Sequence, residues 1–267
     1  MNPKITPVLE GVPETLLLAL QARAAETARP DGLIRDPKAL ETLRSLEYDF
    51  SRKRLKGDDQ VTTAMRARRF DQHTRRFLEA HPSACVVEIG CGLDARFERL
   101  DNGQVTWFDL DLPAVIDLRR RFLHETARRR FLSGSVLDFG WTEAVRRHPG
   151  PTLFLAEGVF PYFSEAEVRQ VVVGLRKTFP GSELVFDANS PLLIRLHNPK
   201  LSSRHVSARL QWGLDSPADV EAWSEGIRLL DAWHYFEDRE PRLGWMRLMR
   251  FIPGLARAAS VLHYRLG

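Results

Sequence analysis

The chain has 267 residues, 43% of them hydrophobic and 28% charged, which suits one large globular domain, or one domain with a small accessory layer, and argues against a disordered chain. Its 39 Lys and Arg against 35 Asp and Glu leave a formal charge of +4. The arginine runs at 66–69, 119–121 and 128–130 lie in helix-like or pre-strand segments without interleaved aromatics, so no nucleic-acid partner is expected.

The two cysteines, Cys85 and Cys91, have no histidine beside them at metal-ligand spacing. That argues against a metal site and a disulfide framework. MNPKITPVLEGVPETLLLAL (1–20) lacks a signal-peptide layout, and its apolar stretch is far short of a membrane span. A reduced, cytoplasmic chain with no membrane partner is the expectation.

Helical spacing begins at 14–27, breaks at PDG (30–32) and resumes over 36–50, with Asp36 as N-cap and Pro37 in the first turn. Residues 54–60 read as a polar loop, and 62–81 as a third helix. The pattern then changes. ACVVEI (84–89) is a short apolar run before glycines, as in a buried parallel strand, and QVTWFDLD (104–111) is a second. A helix over 113–129, a strand over 130–136, a helix over 142–148 and a strand over 151–158 follow. SEAEVRQVVVGLRKTF (164–179) opens with Ser164 and Glu167 at capping-box spacing, and a fifth strand covers 182–190. Beyond these, 216–226 reads as a capped helix, and 227–236 and 259–267 as two closing strands. The order predicts an α/β fold with a doubly wound, mostly parallel, seven-stranded sheet. A helical layer over 1–80 precedes a core over 81–267, with a helical lid inserted at about 190–226.

In such a sheet ligands bind beyond the carboxyl ends of the strands. VVEIGCGLDARFERL (86–100) places Gly90 and Gly92 there, where glycine lets backbone approach a ligand. Asp109 and Asp111 lie 19 and 21 residues after Gly90, at the spacing of an acid that holds ribose hydroxyls. The same residues spell a dinucleotide loop with Ala95 in the third glycine place. Two details favour a sulfonium nucleoside. Asp94 puts negative charge where a pyrophosphate needs helix amides, and no hydride-transfer acid follows the third strand. Asp94, Arg96 and Arg99 read as an ion-paired group holding the loop, and Cys91 as a small filler.

Five motifs in order resemble the leucine carboxyl methyltransferase family, in particular its bacterial polyketide O-methyltransferase branch. They are PETLLLALQARAAE with IRDPKA (34–39), RARRFD (66–71), VVEIGCGLDARFERL, WFDLDLPAVIDLR (107–119) and LAEGVFPYFSEAEV (155–168). The resemblance runs from about residue 13 to 190 and implies a class I fold using S-adenosylmethionine. It implies that Gly90 and Gly92 line the methionine part of the cofactor, and that Asp111, before Leu112 and Pro113, binds the ribose hydroxyls, with Asp109 as competitor. Ser135 and Val136 would flank the adenine; family members often carry an acid in this stretch, whereas here Asp138 comes slightly later. Arg66 would reach the cofactor carboxylate, with Arg23 a second candidate. Glu88, at the end of the first strand, joins the cofactor-binding set or serves as a structural acid. Glu157 would face the cofactor amino group or the methyl-transfer region, and Tyr162 would line the acceptor pocket, making these two the candidate catalytic residues.

The implied reaction is methyl transfer to a carboxylate or hydroxyl of a small-molecule acceptor. A carboxylate needs no general base, a hydroxyl benefits from one, and no base motif stands at the strand ends. His197, His205 and His234 are scattered candidates. The Arg-, His- and Lys-rich segment 193–213, with Arg195, Arg204 and Arg209, would suit an acidic acceptor. Two further readings of the pattern are an NAD-dependent oxidoreductase and a non-catalytic binding module on the same fold.

Overall fold

The computed structural model describes residues 4–7, 15–50, 57–203 and 208–267, of which 200–203 as backbone. Helix α1 (Leu16–Thr27) is followed by α2 (Pro37–Ser45). Asp36 caps α2 as expected, its Oδ1 accepting from the Ala39 amide at 2.9 Å. The helix stops at Ser45 rather than near 50. Leu46 turns extended and forms an isolated parallel bridge with Ile5, so the Ser45 carbonyl accepts from the Ile5 amide outside the helix. Helix α3 (Gly57–Ala80) is longer than expected, because residues 57–60 are helical and not loop. Asp58 and Asp59 in its first turn complement the amide end of the helix dipole.

The sheet contains β1 (Cys85–Ile89), β2 (Thr106–Asp111), β3 (Arg129–Ser133), β4 (Thr152–Ala156), β5 (Ser182–Asn189), β6 (Ile227–His234) and β7 (Ala259–Leu266), in the order β3-β2-β1-β4-β5-β7-β6. The first five strands are parallel, while β7 runs antiparallel to both neighbours. Short helices α4 (Arg96–Leu100), α5 (Pro113–Arg119) and α6 (Thr142–Arg146) cross over, together with α7 (Glu165–Thr178). The α5 helix ends ten residues before the expected boundary at 129. Arg119 turns wholly inward to backbone carbonyls of the glycine loop, and Arg129 already belongs to β3. The capping box of α7 is formed, with the Ser164 amide donating to Glu167 Oε2 at 2.8 Å.

Strand alternation divides the core in two. Val87, Phe108, Phe154 and Phe186 pack with Val168, Val171 and Leu175 of α7. Val86, Trp107, Leu155 and Val185 face Phe70 and Phe77 of α3. Helix α1 packs on a third cluster, Leu17 and Leu20 against Cys91, Leu93 and Ile116. It therefore sits directly on the glycine loop. Between β5 and β7 the chain forms α8 (Pro191–Ser203), α9 (Pro217–Glu221), β6 and a 3-10 stretch over Pro241–Phe251 that the sequence pattern did not reveal. The helix expected over 216–226 spans only 217–221. No helix among the described residues is long and apolar enough to cross a membrane.

Candidate active site

The chain leaves β1 for β2 on one side and returns to β4 on the other, so the strand order reverses between β1 and β4. A cavity of about 570 Å³ opens there, at the carboxyl ends of the central strands. Its wall includes Arg23, Arg66, Glu88, Gly90, Gly92, Asp111, Leu112, Ser135, Val136, Glu157 and Tyr162.

Gly90 and Gly92 turn the chain off β1 with φ of +65° and +49°. A Cβ on Gly90 would lie 2.4 Å from Val159 Cγ2, and one on Gly92 would lie 3.2 Å from Leu16 Cβ. Glycine is needed here for both the left-handed backbone and the close approach of two neighbouring segments. Asp111 then ties the loop to β2. Its Oδ2 accepts from the Gly92 amide and its Oδ1 from the Leu112 amide, both at 2.8 Å. Burial pushes its carboxyl above the ordinary value despite these two amides. Asp109 is removed from the competition. It is fully buried, outside the cavity wall, and bound to Arg119 Nη2 at 3.0 Å and Arg129 Nε at 2.6 Å. Asp138 is exposed and also outside the wall. Leu112 is 43% exposed beside Asp111, an apolar face open to the cavity.

Beneath the loop lies a buried ionic network that joins parts of the chain far apart in sequence. Arg96 is fully buried and binds Asp71 at 2.9 Å, Glu88 at 2.6 Å, Asp94 at 3.2 Å and Glu157. Arg99 binds Asp71, Asp36 and Asp94, and Arg23 binds Asp36 and Asp94. Arg66 reaches from α3 to Glu157 at 3.0 Å and to Asp187 at 3.1 Å. The Gly158 amide donates to the other oxygen of Asp187. The expected ion pairing of Asp94 with Arg96 and Arg99 is present, but it is one corner of a larger cluster. Burial alone would raise the Asp94 carboxyl, and the surrounding arginines hold it well below the usual range instead. The inference that Asp94 meets a ligand as a bare negative charge is therefore corrected, since three guanidiniums already neutralise it.

The four arginines of this network face six carboxylates, Asp36, Asp71, Glu88, Asp94, Glu157 and Asp187, which leaves two formal negative charges in excess. The excess falls on Glu88. Only one of its oxygens is bonded, to Arg96; Oε2 is buried with no hydrogen-bond partner. Burial, with Asp94 and Asp109 nearby and Arg96 opposing, pushes the Glu88 carboxyl up to about 8. Glu157 is spent differently, with one oxygen on Arg66 and the other on Arg96. Asp71 and Asp187 escaped the sequence reading. Asp71 was visible as the end of RARRFD and Asp187 as an acid closing the apolar run of β5, but their partners lie 25 and 121 residues away.

The outer half of the cavity is apolar and aromatic, walled by Leu193, Leu210, Tyr235, Phe236, Trp245, Met246 and Met249, with Tyr162 and His197. Burial raises the hydroxyl pKa values of Tyr162 and Tyr235. Of the histidine candidates, His197 stands in the wall, His234 bonds Ser260 Oγ at 2.7 Å outside it, and His205 is outside the described residues. The cationic wall expected from 193–213 is not formed by its described members. Arg195 and Arg209 are exposed away from the cavity, and Arg204 is outside the described residues. Both cysteines are free and buried, with burial pushing the Cys85 thiol up to about 12 and Cys91 also far up. Cys91 thus fills space in the loop. Among the described residues no group of three His, Cys, Asp or Glu is placed to hold a metal ion.

The family model for leucine carboxyl methyltransferases matches residues 17–175. The tetracenomycin polyketide synthesis O-methyltransferase TcmP of Streptomyces glaucescens is 36% identical over 263 residues, covering 96% of this chain and 97% of its own. An S-adenosyl-L-methionine-dependent methyltransferase of Gibberella zeae, dpfgK, is 29% identical and covers 89% of this chain and 88% of its own. A crystal structure of a DUF574-family protein from Streptomyces avermitilis superposes with a TM-score of 0.59 at 14% identity, over 92% of this chain and 97% of that one, a likeness of fold. The choice left open by the glycine loop falls to the sulfonium nucleoside and against NAD. The chain belongs to the leucine carboxyl methyltransferase family and is an S-adenosylmethionine-dependent methyltransferase.

Proposed function

We propose that this chain, as an O-methyltransferase, methylates a carboxylate or hydroxyl of a small, largely apolar acceptor, a polyketide like that named for the Streptomyces glaucescens relative. The observation that carries the reading is the unpaired Glu88 oxygen in a network with excess negative charge. S-adenosylmethionine carries a sulfonium, an ammonium and a carboxylate, a net positive charge that this wall is short of. A pyrophosphate would add to the excess.

In this reading Glu88 Oε2 accepts from the cofactor ammonium, because both oxygens of Glu157 are already held. Arg66, a guanidinium in the wall, is the partner for its carboxylate; Arg23 is the weaker candidate, its three nitrogens already engaged with Asp36, Asp94 and the Leu93 carbonyl. Asp111 would hold the ribose hydroxyls, and Ser135 and Val136 would flank the base, with Leu112 beside them in the wall. Glu157 fixes Arg66 at the point where β4 and β5 end, next to Tyr162. The bound cofactor supplies an electrophilic methyl group on sulfur. The protein's share is alignment and exclusion of water, which the enclosing α1 and the aromatic outer wall provide. A carboxylate acceptor needs no base. For a hydroxyl acceptor, His197 is the residue of the wall suited to take the proton.

Calorimetric titration with S-adenosylmethionine, S-adenosylhomocysteine and NAD, repeated with Asp111→Ala, tests the assignment of the wall. Binding of both adenosyl ligands, weakened in the variant and absent for NAD, is expected. Unchanged affinity in Asp111→Ala would remove the ribose role. A pH–rate profile with each acceptor class, with and without His197→Ala, then separates carboxylate from hydroxyl chemistry.

A further inference from the structure

The 3-10 stretch Pro241–Phe251 and the turn after it have two unlike faces. Inward, Leu243 and Met246 are buried and pack with Leu193, Tyr235 and Phe236. Outward, Trp245, Leu248, Phe251 and Ile252 are 65%, 61%, 69% and 47% exposed. These are projecting side chains on an anchored turn. Gly244 (φ 54°) bends the backbone between them and Gly254 (φ 80°) closes the segment. Large apolar groups concentrated this way on a surface mark a contact site.

The charges around them are mostly basic, with Glu237 and Asp238 just before the segment. From 239 to 258 the sequence holds Arg239, Arg242, Arg247, Arg250 and Arg257 against Glu240 alone. Glu240 is already paired with Arg242 at 3.0 Å. Arg250 is exposed and stacks over the Phe251 ring, 4.6 Å from its centroid. Arg257 is exposed, with a loose 3.5 Å contact to Glu237.

Three occupants compete for such a face. A second copy of the chain would bring one arginine cluster against another, which opposes association. A partner helix needs a groove, and these side chains protrude. An anionic lipid surface satisfies both halves of the pattern. Aromatic and aliphatic side chains enter the boundary between headgroups and acyl chains, and arginines meet the phosphates. We propose that residues 239–257 seat the protein on an anionic lipid surface, with Trp245, Leu248, Phe251 and Ile252 inserted and Arg239, Arg250 and Arg257 on the headgroups. This is a surface seat and involves no spanning segment. Trp245, Met246 and Met249 also stand in the cavity wall, so the seat turns the cavity mouth toward the lipid. The inference does not depend on the identity of the methyl acceptor.

The test is co-sedimentation of the full chain with vesicles of phosphatidylcholine plus phosphatidylglycerol, against vesicles of phosphatidylcholine alone. Binding to the mixed vesicles is expected, falling as salt is added. Arg250→Ser with Arg257→Ser should weaken it about tenfold or more. Leu248→Ser with Phe251→Ser should abolish it while cofactor affinity and melting temperature stay the same, since neither residue lines the cavity. Failure of the wild type to sediment with mixed vesicles overturns the proposal. So does equal binding to neutral vesicles, or binding that survives the Leu248 and Phe251 changes. If those changes instead convert a dimer to a monomer in sedimentation velocity, the face is an interface between copies and the lipid assignment is wrong.

Discussion

Glu88→Gln should make cofactor affinity independent of pH over a range where the wild type is steeply dependent on it. In the free protein Glu88 is 2% exposed, one oxygen meets Arg96 at 2.6 Å, the other meets nothing, and the carboxyl is pushed up to about 8. Below that pH the group holds a proton, and accepting an ammonium requires giving it up. Each pH unit below about 8 then costs about 1.4 kcal/mol of binding, or about tenfold in Kd. As pH falls below the raised pKa the wild-type Kd should rise by at most about tenfold per pH unit, with up to about one proton released per cofactor bound. Glutamine keeps an oxygen for Arg96 and cannot titrate. Calorimetry at several pH values, in buffers of different ionisation enthalpy, reads both the slope and the proton count. A flat wild-type profile with no proton release would refute the reasoning, as would an unchanged slope in the glutamine variant.

Other consequences follow from the same contacts. Without ligand, the native state holds the Glu88 proton up to about 8, whereas an unfolded chain releases it near its ordinary 4.5. The native state thus binds more protons in that window, and the Glu88 contribution to stability falls as pH rises through it. Glu88→Gln should lose that fall in urea unfolding at pH 5 and pH 8. Asp111→Ala removes a charged hydrogen-bond acceptor worth about 1.5–3 kcal/mol, so calorimetry should show a tenfold to hundredfold weaker Kd, whereas Asp111→Asn, which still accepts from the Gly92 amide, should lose less. Gly90→Ala should lower the melting temperature more than Gly103→Ala. Both positions have positive φ, but only Gly90 also meets Val159, at 2.4 Å. Val159→Ala should recover part of the difference. Ser164→Ala removes the capping box of α7 and should cost about 1 kcal/mol, seen as a melting-temperature drop of about 2–4 °C.

Short-range chemistry in the sequence was enough for the sheet and for the part of the cavity wall formed by the glycine loop and the strand ends. Apolar runs closed by glycine or an acid located β1, β2 and β4, the spacing from Gly90 reached Asp111, and Ser164 with Glu167 marked the start of α7. These signals depend on neighbours a few residues apart, where backbone geometry and burial act directly on the chain. The boundaries that shifted, at Ser45, Gly57 and Arg119, did so because the deciding partner was remote. Ile5 draws Leu46 out of its helix, and the glycine-loop carbonyls draw Arg119 inward.

The charges were decided only by the tertiary structure. Sequence placed Asp94 beside Arg96 and Arg99, and it offered Glu157 and Arg66 as ligand-binding groups. The fold brings Arg23 and Asp36 from the helical lead, Asp71 from α3 and Asp187 from β5 onto the same cluster. There Asp94 is saturated and Glu88 keeps an oxygen without a partner. Coulomb interactions and desolvation depend on distance through space and on the exclusion of water, and neither can be read from separation along the chain. A sequence therefore names the residue types of this site, and only the packed molecule determines which of them is left for a ligand.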